Sequence, residues 1–173
     1  MPKILDNIRE KALAEAGRIL LSGGYRALTV RGVADALGIG VGTLYNYFPS
    51  KDYLVAGVML DDWQEAVRAF RKEEKNGDAG EVTRRLFSLV RTFSERYQKV
   101  WSQYVEHGRP DEMRRQYHSL LVEQLGGYIR EALPEKSEPW LAGFLAELVL
   151  RFASDGRSRY EEIEDAVEKL LRS

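Results

Sequence analysis

The sequence predicts an all-α chain: an N-terminal helix-turn-helix of three short helices, joined by a long helix to a C-terminal helical body, about nine helices in all. Two observations carry this prediction. Apolar residues recur three and four positions apart through nearly every segment, and no segment alternates cleanly at the two-residue period of a strand. Proline is also rare, at five of 173 residues, so little interrupts the helical pattern.

The elements follow in order. Residues 4–22 read as a first helix, with Ile8, Ala12, Ala16, Ile19 and Leu20 at helical spacing and the glycines of "SGG" (22–24) as its stop. Thr29 is placed to cap a short helix, "VRGVADAL", whose Val33, Ala34 and Leu37 share one face. Gly38 follows where a helix end favours a residue of positive φ. A second short helix runs from Val41 to about Phe48 and yields to Pro49. Ser50 then caps a long helix over about 51–73, with Leu54, Val58, Trp63, Val67 and Phe70 on its stripe. After the loop "EEKNGDAG", another long helix spans about 80–106. It carries Val82, Leu86, Leu89, Phe93, Tyr97, Val100, Trp101 and Tyr104. "HGRP" (107–110) breaks it, and a further helix covers about 111–133 before Pro134. "LAGFLAELVLRFA" (141–153) is apolar nearly all round. The last helix opens with Ser158 and Glu161 at capping-box spacing and carries Tyr160, Ile163, Val167 and Leu170 on one stripe.

Composition narrows the function. A hydrophobic fraction of 44% is enough for a buried core. The absence of cysteine excludes disulfides, thiolate nucleophiles and cysteine–zinc sites and suits a reducing, cytoplasmic setting. The charged N-terminus lacks the apolar segment of a signal peptide, and no run of about eighteen uncharged apolar residues is long enough to span a membrane. Residues 1–51 hold seven Lys/Arg against four Asp/Glu, and residues 52–173 nineteen against twenty-three. A basic front end on an acidic body suits an anionic partner at the front.

Enzymatic function has no support. His107 and His118 lack metal-ligand spacing with each other. "GIGVG" has no preceding strand to make it a phosphate loop, and no serine nucleophile elbow is present. No catalytic residue, metal or cofactor is expected.

The front end carries a specific chemistry. Two short helices joined by a glycine-bearing turn form a helix-turn-helix. Ala34 lets the helices approach, Gly38 makes the turn, Ile39 plugs the corner and Leu44 completes the small core. With Leu44 and Phe48 inward at i and i+4, Tyr45 turns away from the core, while Tyr47 is intermediate. A major groove admits one helix, and the second helix of this motif normally enters it. Lys51 sits in the first turn of its helix, where the macrodipole disfavours a cation by about 0.3–1 kcal/mol unless an anion is near.

The stretch "TVRGVADALGIGVGTLYNYFPSKDYLV" (29–55) resembles the DNA-binding domain of the tetracycline-repressor (TetR) family. Thr opens the second helix, an apolar-Ala pair lies within it, Gly makes the turn, and "TLYxYFxxK" closes the third. The resemblance extends over about 4–60. It implies a homodimeric transcriptional regulator with a helix-turn-helix DNA-binding domain at 1–50 and an effector-binding and dimerisation domain at 51–173. Its implied partners are a palindromic double-stranded DNA operator, a second copy of the chain through the helices near 140–154 and 158–172, and a small-molecule effector. No membrane is among them. Carried over by position, the resemblance implies phosphate contacts from Thr29, Arg31, Asn46, Tyr47 and Lys51, and base or sugar contacts from Val41, Gly42, Thr43 and Tyr45. The other reading is an interaction protein of this fold that binds neither effector nor operator.

The sequence departs from the family pattern in two places. Gly32 costs about 1 kcal/mol relative to alanine within a helix. "GVG" (40–42) replaces the usual Ser and polar residue. With no Arg, Lys or Gln between 38 and 48, bidentate guanine readout from this helix is excluded, so thymine-methyl contact by Val41 and Thr43 and DNA shape are expected instead. In the body, Trp63, Phe93, Tyr97, Trp101, Tyr104 and Tyr117 either pack as core or line an effector pocket. Glu147 either pairs with Arg151 at i+4 or serves as a polar group in the pocket or interface.

Overall fold

The computed structural model describes residues 7–72, 77–105 and 111–172, with the side chains of 105–117 excepted. Among these it holds eight α-helices and one 3₁₀ turn, and no strand. They are α1 (Ile8–Gly23), the 3₁₀ turn (Tyr25–Ala27), α2 (Val30–Leu37), α3 (Val41–Tyr47), α4 (Lys51–Lys72), α5 (Ala79–Val105), α6 (Asp111–Ala132), α7 (Leu141–Ala153) and α8 (Glu161–Arg172). The first residues of the expected opening helix, the break at 107–110, His107 and the Tyr117 side chain lie outside the described parts.

By their contacts the residues divide into two units, 1–66 with 97–108 and 67–96 with 109–173. In the first, Ala12, Ala16 and Leu20 of α1 are buried with Val33 and Ala34 of α2 and Leu44 of α3. Leu13 and Leu28 join them. The alanines explain the close packing, because a methyl side chain keeps two helix axes near each other. Leu54, Val58 and Trp63 of α4 and Tyr97 and Val100 of α5 are buried in the same unit. The Tyr97 hydroxyl donates to Asp62 Oδ2 at 2.6 Å, which satisfies a polar group that burial would otherwise penalise.

The second unit is built around α6 and α7, which pack along each other. Leu125 and Ile129 are buried with Leu145, Ala146 and Val149. α8 buries Ile163 and Val167, and Tyr160 before it sets its ring edge against Phe87 of α5, centroids 5.6 Å apart. Arg91 closes the turn between α7 and α8. Its guanidinium donates to the carbonyls of Phe152, at 2.9 Å, and Ser158, and reaches Asp155 at 3.5 Å.

Three expectations are corrected. Ser158 does not form a capping box with Glu161: its hydroxyl and N–H go to Asp155 (2.6 and 2.9 Å), and Glu162 instead accepts from Arg159 N–H. The nearer carboxylate outcompetes the cap. Glu147 meets His118 Nε2 of α6 at 2.9 Å rather than Arg151, because α6 lies alongside α7. Trp101, expected on the apolar stripe of α5, remains 39% exposed.

Candidate nucleic-acid interface

The interface grows from the α2–α3 turn. The Thr29 hydroxyl accepts from Gly32 N–H at 2.9 Å and caps α2, an interaction worth about 1 kcal/mol. A Cβ on Gly32 would lie 2.9 Å from that hydroxyl, so the glycine that weakens the helix also leaves the cap uncrowded. Gly38 adopts φ 65 and ψ 33, and Ile39 N–H reaches back to Ala34 O at 3.0 Å. This left-handed ending turns the chain into α3.

α3 is anchored by Leu44, wholly buried, and by Phe48 just past its end. Its remaining side chains point outward. Gly42, Thr43, Tyr45, Asn46 and Tyr47 are exposed, and Val41 is half-buried. Tyr47 is as open as Tyr45, at 47% against 48%. It is therefore turned out rather than packed. A Cβ added to Gly42 would meet nothing within 4 Å, so the backbone there is open to close approach. Thr29 and Arg31 are exposed at the start of α2.

Lys51 opens α4, where the Ser50 hydroxyl accepts from Tyr53 N–H at 3.3 Å. Its ammonium lies 3.8 Å from the centroid of the Tyr25 ring, and the Tyr25 hydroxyl donates to Asp52 Oδ1 at 2.7 Å. Burial lowers the Lys51 pKa from its usual value, while Asp52 opposes that shift. Sequence reasoning missed Tyr25. The only local signal was an aromatic directly after the helix-stopping glycines.

The aromatic set falls in two groups. Trp63, Tyr97 and Tyr104 are buried in the first unit, where Trp101 also lies; Phe93 is half-buried in the second. A groove of about 520 Å³ is lined instead by residues of the second unit, including Asp78, Glu81, Arg84, Tyr160 and Glu168. Most of its charges are paired with one another: Arg84 with Glu81 and Glu164, and Arg172 with Glu168. Among the described residues no cluster of three His, Asp or Glu could hold a metal ion, and no helix is long and apolar enough to cross a membrane.

Comparison with known proteins matches the same segment. Residues 12–58 fit the model of the bacterial regulatory proteins, tetR family. The HTH-type transcriptional repressor KstR of Mycobacterium tuberculosis is 38% identical over 73 residues, 42% of this chain and 32% of that protein. The HTH-type transcriptional regulator UidR of Escherichia coli is 30% identical over 64 residues, 37% of this chain and 33% of that protein. The chain thus spans about a third of the length of the relatives it matches. A solved TetR family protein from Vibrio parahaemolyticus shares the fold over 96% of this chain and 97% of its own, with TM-score 0.51 and 20% identity. The segment 12–58, which holds the helix-turn-helix, thus matches the tetR family of bacterial regulatory proteins, and the all-helical chain shares its fold with a TetR family protein.

Proposed function

We propose that the protein is a homodimeric, DNA-binding transcriptional regulator. In this reading it is a repressor that releases a palindromic operator when a small apolar or amphipathic ligand binds the C-terminal body. The observation that carries the reading is the division of α3, with Leu44 and Phe48 inward and Thr43, Tyr45, Asn46 and Tyr47 outward. A helix so mounted fits a major groove.

Val41, Gly42, Thr43 and Tyr45 are assigned to bases or sugar, and Thr29, Arg31, Asn46, Tyr47 and Lys51 to phosphate. Base readout rests on thymine methyls, on close approach at Gly42 and on DNA shape. For the dimer, the exposed apolar residues Leu120, Trp140 and Phe144 lie on α6, just before α7 and on α7. They support a contact through the 140–154 helix with α6 beside it. Support for α8 is weaker, because Ile163 and Val167 are already covered within the chain and its exposed positions are mostly charged. An effector that reaches Trp63, Tyr97 or Tyr104 has to part packed side chains. It therefore acts by favouring a conformation in which they are separated, with α4 as the lever.

Selection of bound fragments from a random DNA pool tests the reading. A palindromic site with half-sites about one helical turn apart is expected, with affinity falling steeply with salt. Absence of any enriched site at every salt concentration refutes it and favours the interaction-protein alternative.

A further inference from the structure

Tyr25 stands where three elements of the first unit meet. One face of its ring carries the Lys51 ammonium, and its hydroxyl engages Asp52. The last turns of α5 also reach it. Tyr104 meets the Tyr25 ring edge-on, with centroids 5.3 Å apart. Gln103 Oε1 accepts from Arg26 N–H at 2.9 Å, and Lys99 Nζ donates to Ser22 O at 3.1 Å. Gly24, at φ 80, leaves room for this approach, since a Cβ there would lie 2.6 Å from Gln103 Oε1.

The arrangement restricts what Lys51 can do. A lysine beside an aspartate, at the end of a helix that repels cations, has two easy alternatives: to fold onto the carboxylate or to wander among rotamers. The Tyr25 hydroxyl occupies one Asp52 oxygen, and its ring holds the ammonium by cation–π attraction. The charge is held over the ring.

We propose that Tyr25 is the positioning residue for the phosphate contact of Lys51, and that Gln103 and Tyr104 hold Tyr25 in place, so that displacing the end of α5 weakens DNA binding. The proposal rests on the DNA-binding reading above. It supplies a route from the end of α5 to the DNA face that does not pass along α4.

The test uses the full chain and a fluorescently labelled random-sequence duplex, because phosphate contact is independent of sequence. Anisotropy titrations across a salt series compare the parent with Lys51→Gln, Tyr25→Phe, Gln103→Ala and the double variants. Lys51→Gln should weaken binding and reduce the slope of log K against log salt by about one per bound protomer. Tyr25→Phe keeps the ring but removes the hydroxyl that engages Asp52 Oδ1. It should lose about two- to fivefold in affinity with a flattened slope and no added loss in the Lys51→Gln background. Gln103→Ala should act in the same direction, with the same dependence on Lys51, and carries the test if Tyr25→Phe proves unstable. Parental affinity and slope for Tyr25→Phe and Gln103→Ala, beside an effective Lys51→Gln, overturn the proposal and leave the DNA-binding reading intact. Losses that add to that of Lys51→Gln overturn it as well, since they mark a merely structural role. A parental slope for Lys51→Gln refutes the phosphate contact and this proposal with it.

Discussion

Replacing Gly24 by alanine probes the junction between α1 and the end of α5. The backbone there has φ 80 and ψ −174, a region open almost only to glycine and costing other residues about 1–3 kcal/mol. The new Cβ would lie 2.6 Å from Gln103 Oε1, so the carboxamide must move away. Arg26 N–H then loses its acceptor at 2.9 Å, at a further cost of about 1 kcal/mol. The expected loss is about 2–4 kcal/mol in all, a large share of a typical domain stability of about 5–15 kcal/mol. Urea unfolding followed by tryptophan fluorescence reads it directly, since Trp63 and Trp101 lie in the same unit. With a slope near 2 kcal/mol per molar urea, the midpoint should fall by about 1–2 M. The cycle with Gln103→Ala separates the two causes. In that background Gly24→Ala should keep only its backbone cost, so the two losses should not add. A loss below about 0.5 kcal/mol for Gly24→Ala, or full additivity with Gln103→Ala, would refute this account of the junction.

Three further outcomes are expected. Leu44→Ala removes the wholly buried anchor of α3 and should cost about 2–5 kcal/mol by denaturant unfolding; a change under about 1 kcal/mol, below the range of such truncations, would mean that α3 is seated otherwise. Thr29→Ala should cost about 1 kcal/mol, and Thr29→Ser should recover most of it, because the hydroxyl caps Gly32 N–H; equal melts for all three proteins would discount the cap. Asp155 is held well below the usual carboxylate range, first by the Ser158 hydroxyl, then by the N–H groups of Arg157 and Ser158, and also by Arg91. A depressed pKa gives stability that is full above the ordinary value of 3.8 and fades as pH falls below it. Asp155→Asn should therefore flatten the decline in stability between about pH 4 and pH 2, and identical pH profiles would contradict the assignment.

Local chemistry made most of the helical order legible. The Thr29 cap, the Gly38 turn, the inward Leu44 and Phe48 and the bounds of α7 are each set by residues within a few positions of one another. What escaped depends on distant pairing. Tyr25 and Tyr104, or Arg26 and Gln103, are nearly eighty positions apart, and no periodicity links them. Glu147 illustrates the same limit: spacing offered Arg151, but the packing of α6 against α7 supplied His118. Periodicity likewise identifies an apolar stripe without saying what covers it. Ile163 and Val167 of α8 are covered within the chain, whereas Phe144 of α7 is left open. Within the candidate interface, the outward face of α3 follows from helical geometry, but the seat of Lys51 on an aromatic ring does not.

The turn between α7 and α8 has a consequence of its own. Residues 154–159 are exposed or half-buried and carry a glycine at φ 73, the composition of a preferred protease site. Cleavage needs several residues drawn out into an extended strand. Arg91 ties the carbonyls on both sides of the turn, and Asp155 holds the backbone between them. Extending the segment would break all of these bonds together, so this exposed, arginine-bearing turn should resist trypsin for as long as Arg91 stays in place.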